Sequence, residues 1–112
     1  MKIIWLGHAS FLIETGATRI ITDPFDESTG YRIPSVSADL VTVSHDHYDH
    51  NAVDWVAGEP RIVSSPGETR FREVEILGVP SFHDKEKGRL RGRNTIFVIK
   101  AEGLTVCHLG DL

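Results

Sequence analysis

The chain has 112 residues, a formal net charge of −4 and 40% hydrophobic side chains, enough to bury one modest core. Such mild acidity gives no electrostatic pull toward nucleic acid or an anionic membrane, and no apolar run approaches the ~20 residues that a membrane span needs. The lone cysteine, Cys107, cannot close an internal disulfide, and no small-residue cleavage site follows the early apolar pieces, so a single domain in a cytoplasmic setting is expected.

Lys2 to Leu6 and Ser10 to Glu14 are rich in β-branched and aromatic residues, and Gly7-His8-Ala9 between them predicts two tightly joined strands. Thr18 to Thr22 reads as a third, after the turn Thr15-Gly16-Ala17. Pro24 ends its pairing and leaves Asp23 at the strand's carboxyl end. Asp26 to Ala38 is polar, with Gly30, Pro34 and several serines, and reads as a loop. Asp39 to Ser44 is almost continuously apolar, the pattern of a strand buried on both faces.

Asn51 to Gly58 carries a helix signature, with Asn51 as N-cap, Asp54 three residues on and Gly58 as the stop. Arg61 to Ser64 predicts a brief strand, Ser65-Pro66-Gly67-Glu68 a turn, and Phe71 to Val79 a strand running on to His83. Residues 83–94 form the most charged stretch and predict an exposed loop. Thr95 to Ala101 and Leu104 to His108 read as strands joined at the hairpin signal Glu102-Gly103. Trp5, Trp55 and Cys107 are expected in the interior.

The chemistry concentrates in Ser44-His45-Asp46-His47-Tyr48-Asp49-His50-Asn51, where the buried-type strand ends and the predicted helix begins. Imidazole nitrogens and carboxylate oxygens suit zinc, iron or manganese. On an extended segment His45 and His47 project to one side and can share an ion. Asp49 and His50 follow where the chain turns, placed for a second ion; two ions about 3.5–4 Å apart stabilise both attacking and leaving oxygens in hydrolysis. A histidine-rich surface turn is the bland alternative. It is the better reading of any one histidine here, and the poorer reading of the whole cluster at a strand end.

At these residues the sequence resembles the metallo-β-lactamase superfamily, and within it the small metal-dependent hydrolases that include L-ascorbate-6-phosphate lactonases. The likeness runs end to end through Gly7-His8-Ala9-Ser10, Thr22-Asp23-Pro24-Phe25, the Ser44 to His50 motif, Pro80-Ser81-Phe82-His83 and His108-Leu109-Gly110-Asp111. It implies an α/β (α+β) fold, the amino-terminal half of an αββα sandwich with mostly antiparallel or mixed sheet and at least one packed helix. The family pattern continues to a further histidine and a second sandwich half, so residues 1–112 are expected to form an incomplete domain.

By that resemblance His45, His47 and His83 would hold a first ion, Asp49 and His50 a second, and Asp111 would bridge them. Zn2+ is the expected ion, in one or two copies, with Mn2+ and Fe2+ also suited. Asp23 would orient a ligand histidine from behind. Asp49 would also hold the hydroxide, and His8 is either a turn histidine or a residue that orients substrate. His108 is expected to be structural or to support a ligand. Lys85, Lys87, Arg89, Arg91 and Arg93 either form a solvated face or receive an anionic group such as phosphate.

The implied activity is hydrolysis of an ester, lactone or phosphodiester bond by a metal-activated hydroxide, on a small and in the specific version phosphorylated substrate. Two alternatives stand beside it. One is an inactive half-domain that binds a single ion or needs self-association or a partner chain to cover its exposed sheet. The other is a nuclease of the same fold, for which only the basic loop argues. Membrane and nucleic-acid partners are not expected; a homo-oligomer is.

Overall fold

The computed structural model describes residues 1–25, 36–45, 56–82 and 93–110. Among them are nine β-strands: β1 (Lys2–Gly7), β2 (Ser10–Thr15), β3 (Thr18–Thr22), β4 (Leu40–Thr42), β5 (Arg61–Val63), β6 (Gly67–Phe71), β7 (Val74–Phe82), β8 (Arg93–Ala101) and β9 (Leu104–His108). They form a five-stranded sheet ordered β1-β2-β3-β4-β5 and a four-stranded sheet ordered β6-β7-β8-β9.

The first three strands are an antiparallel meander whose two-residue connections set the register, with Gly7 opposite Ser10 and Thr15 opposite Thr18. β4 then lies parallel to both β3 and β5. A central parallel strand has no solvated face, and Leu40, Val41 and Thr42 are all fully buried. The second sheet is a simple antiparallel meander. Glu102 and Gly103 both adopt positive φ, 54° and 73°, as the two-residue hairpin at that signal requires.

Side-chain alternation splits the core in two. Ile13, Ile20, Leu40 and Val63 of the first sheet meet Val74, Ile76, Phe97 and Ile99 of the second, which makes a sandwich. On the opposite face of the first sheet, Leu12, Ile21, Val41 and Val43 pack with Ala38 and Val56. Burying one such side chain is worth about 1.5–3 kcal/mol.

Several expectations need correction. No helix occurs among the described residues. Asn51 to Trp55 lie outside them, and Val56 to Gly58, read as the helix end, are not helical: Ala57 bridges Ser37 in parallel and donates to Val36 O at 3.1 Å. Bends at Ser65-Pro66 and strand β7 follow the expected turn and long strand, but β6 was not expected: Gly67 and Glu68, read as turn, and Phe71, read as the strand's start, pair with β7 across a reversal at Arg72-Glu73. Trp5 is 57% exposed, because β1 is an edge strand, and Cys107 is exposed as well.

Candidate metal centre

β4 runs out at Thr42, and the chain that follows is held on both sides. Val43 donates to Val63 O at 2.9 Å, and Asp23, one residue past β3, donates to Thr42 O at 2.8 Å. Asp23 is fully buried with φ of 38°. That left-handed conformation is one aspartate tolerates better than most residues, and it turns the carboxylate toward Ser44. Oδ1 accepts the Ser44 main-chain N–H at 2.7 Å and Oδ2 accepts the Ser44 hydroxyl at 2.5 Å.

Proton bookkeeping now fixes His45. Ser44 has one hydroxyl hydrogen, and the carboxylate, which only accepts, takes it. Ser44 Oγ lies 3.0 Å from His45 Nδ1, so in that contact Nδ1 carries the hydrogen and donates. In the neutral ring Nε2 then keeps the lone pair, and it is shielded from solvent. An imidazole whose far nitrogen is hydrogen-bonded and whose near nitrogen is unprotonated is the form that ligates a divalent ion. On this observation His45 has the form that a metal ligand takes.

Behind Asp23 stands His108, buried on β9. Its Nε2 lies 2.7 Å from Ala9 O; a carbonyl only accepts, so Nε2 is protonated. Its Nδ1 is 3.8 Å from Asp23 Oδ2, and its ring meets Phe11 edge-on with centroids 6.1 Å apart. Ala9 O also accepts from Thr22 Oγ1 at 3.2 Å. The β1–β2 turn that carries His8 is thereby anchored over the Asp23 cluster, with the His8 side chain exposed at φ 51°.

The second sheet closes on the same point. Thr95 donates its N–H to Ser44 O at 2.7 Å. Gly110, with φ of 66°, packs so tightly that a Cβ there would sit 2.4 Å from Asn94 Oδ1 and 2.5 Å from Ser44 Cβ. Only glycine fits this approach. It brings the chain to Ser44 immediately before Asp111.

Of the six residues implied as ligands, His45 lies among the described residues. His47, Asp49, His50, His83 and Asp111 fall outside them, as do Lys85, Lys87, Arg89 and Arg91; Arg93 opens β8 opposite Phe82. Among the described residues no three metal-binding side chains cluster. Ser44 and Asn94 had no role assigned from sequence. Ser44 carries a usable signal, as a hydroxyl residue directly before a candidate ligand histidine; a carboxamide at a strand start carries none.

The described structure is a two-layer β sandwich that presents a histidine at a strand end, held from behind by a buried carboxylate and a hydroxyl. The family model described as the β-lactamase superfamily domain matches residues 2–112, and the chain belongs to that family. It is similar to a UPF0173 metal-dependent hydrolase from Pyrococcus furiosus, 30% identical over 99% of this chain and 61% of the relative. A solved Thermotoga maritima structure, assigned by name to the Zn-dependent hydrolases of the metallo-β-lactamase superfamily, is 44% identical with a TM-score of 0.78. It covers 98% of this chain and 49% of its own. A diiron β-hydroxylase from Streptomyces venezuelae, 17% identical over 97% of this chain and 29% of its own, shares the fold with a TM-score of 0.68. The chain thus spans about half to three fifths of the first two proteins.

Proposed function

We propose that this chain carries the metal-binding half of a hydrolase acting on an ester, lactone or phosphodiester bond, with His45, His47 and His83 as ligands of one ion, Asp49 and His50 as ligands of a second, and Asp111 shared between the two. The observation that carries this reading is the Asp23–Ser44–His45 chain of hydrogen bonds, which leaves His45 Nε2 as the unprotonated nitrogen. When bound, a divalent ion supplies a nucleophilic hydroxide near neutral pH and Lewis acidity toward the developing oxyanion. The chain's own residues do the rest. Asp23 and Ser44 orient His45, and Asp49 holds the attacking water. The His8 turn orients substrate, and the basic residues Lys85 to Arg93 receive an anionic group on it. Zinc is the resident ion in this reading, supported by the name of the Thermotoga relative; the iron protein of the same fold makes Fe2+ the alternative.

The test is metal content and turnover of the same preparation. Metal at about two per chain, with hydrolysis of a generic phosphodiester or lactone abolished by chelator and by His47→Ala, supports the enzyme. A second reading is an inactive half-domain that binds one ion. It is favoured by the exposed Ile3, Trp5 and Leu104, apolar surface that a further layer or a second copy would cover. Metal at one per chain or below with no turnover selects it.

A further inference from the structure

Asn94 is 1% exposed, and its one carboxamide joins three chain segments. Nδ2 donates to Ser81 Oγ at 3.0 Å and to Leu109 O at 2.8 Å. A main-chain carbonyl only accepts, so the amide orientation is fixed by chemistry: nitrogen faces Leu109, and Oδ1 faces Gly110. Ser81 in turn donates its hydroxyl to the Asn94 main-chain oxygen at 3.2 Å, closing a ring between β7 and β8. Both amide hydrogens are engaged. The next residue, Thr95, is the one whose N–H holds Ser44 O.

The ladder alone does not do this. β8 and β9 stay paired only as far as Phe97 opposite His108, so the chain past His108 has no strand partner at the level of Asn94. The Asn94 Nδ2–Leu109 O bond spans that gap. His83 follows Ser81 by two residues, Asp111 follows Leu109 by two, and His45 follows Ser44 by one.

We propose that Asn94 is a positioning residue for the metal centre: without touching an ion, it sets the spacing of the chain ends that carry His45, His83 and Asp111. The inference rests on the metal-site reading above. Ligands drawn from separate strands must be held within about 0.5 Å of their working geometry, and a buried two-donor amide does so where sheet pairing has ended.

The test is Co2+ titration of the 112-residue chain, read by affinity and by the d–d absorption band, beside the melting temperature of the metal-free form. Asn94→Asp keeps the shape but replaces both donors with an oxygen facing Leu109 O. It is expected to bind Co2+ at least about tenfold more weakly and with an altered band. Val74→Ala, a core truncation in the β6–β7 hairpin away from the site, is expected to lower the melting temperature while leaving Co2+ affinity unchanged. Equal affinity and band in Asn94→Asp and the unchanged chain would overturn the proposal, since the amide would then support stability alone. Ser81→Ala removes one of the two contacts and gives the same reading where Asn94→Asp does not fold: weaker Co2+ binding supports the proposal and unaltered binding overturns it. Failure of the unchanged chain to bind Co2+ defeats the metal reading and this one together. Binding lost only in the variants concerns Asn94.

Discussion

Asp23 grips Ser44 with both carboxylate oxygens, one on the main-chain N–H at 2.7 Å and one on the hydroxyl at 2.5 Å. Both residues are buried, 0% and 2% exposed, so neither contact is interchangeable with water. Ser44→Ala removes the hydroxyl that donates to Asp23 and accepts from His45. Loss of a hydrogen bond to a buried charged group is expected to lower unfolding free energy by about 1.5–3 kcal/mol, read by urea denaturation of metal-free protein. The same variant removes the Ser44 contact at His45 Nδ1, so the 15N signature of an Nδ1-protonated imidazole, expected in the unchanged chain, should give way to mixed tautomers. An unchanged tautomer in Ser44→Ala would show that Ser44 does not set it.

Gly110 is the counterpart on the second sheet. Gly110→Ala places a methyl within 2.7 Å of Asn94 Oδ1, Ser44 Cβ and Ser44 Oγ, at a φ of 66°. Steric conflict and left-handed strain add, so a loss of about 2 kcal/mol or more is expected. Gly103→Ala is the control: its φ is also positive, at 73°, but an added Cβ meets nothing within 4 Å. It should cost only about 1 kcal/mol. Equal melting temperatures for the two variants would show that the close approach at Gly110 is not tight in solution.

What could be read from sequence followed local causes. β4 was legible because a strand buried on both faces must be apolar throughout, and the hairpin at Glu102-Gly103 because positive φ selects its residues. The β6–β7 reversal was not, since Arg72-Glu73 contains neither glycine nor asparagine. Arg72 holds φ of 53° with tertiary help: Nη1 donates to Ala17 O at 3.0 Å and its guanidinium lies 5.0 Å over the Phe71 ring. Trp5 misled because apolar alternation on an edge strand does not say whether a neighbour covers it. Val56 to Gly58 misled because Ala57 pairs there with Ser37 in a parallel bridge that its own sequence does not signal. At the site, the strand end that presents His45 was legible from the apolar run before it. The grip of Asp23 on Ser44 and of Asn94 on Leu109 was not, since each joins residues at least 15 positions apart.

Acidification has a signed expectation at the β8–β9 turn. Glu102 Oε2 lies 2.5 Å from the Met1 ammonium, and that hydrogen bond is the main reason its carboxyl is held below the usual value of 4.5. A carboxylate depressed in the folded state stabilises the fold above its unfolded pKa and loses that contribution as pH falls through the folded one. Melting temperature should therefore decline as pH drops below about 4.5, and Glu102→Gln should flatten part of that decline. The group is exposed, so added salt should shrink the difference between the two proteins. Identical pH profiles at low salt would remove the ion pair from the account.

The uncovered apolar surface leads to the last expectation. Ile3 and Trp5, 51% and 57% exposed, lie on edge strand β1, and Leu104, 53% exposed, lies on edge strand β9. Phe11 of β2 meets His108 of β9 across the sandwich, β1 is the edge of the first sheet beyond β2, and β9 is an edge of the second with no outer strand partner among the described residues. Unpaired edges with large apolar neighbours favour association. The chain should sediment with a weight-average mass that rises with concentration, and Trp5→Lys with Leu104→Lys, charges placed on two edge strands, should return it toward the monomer. A concentration-independent monomer would show that these edges do not drive association.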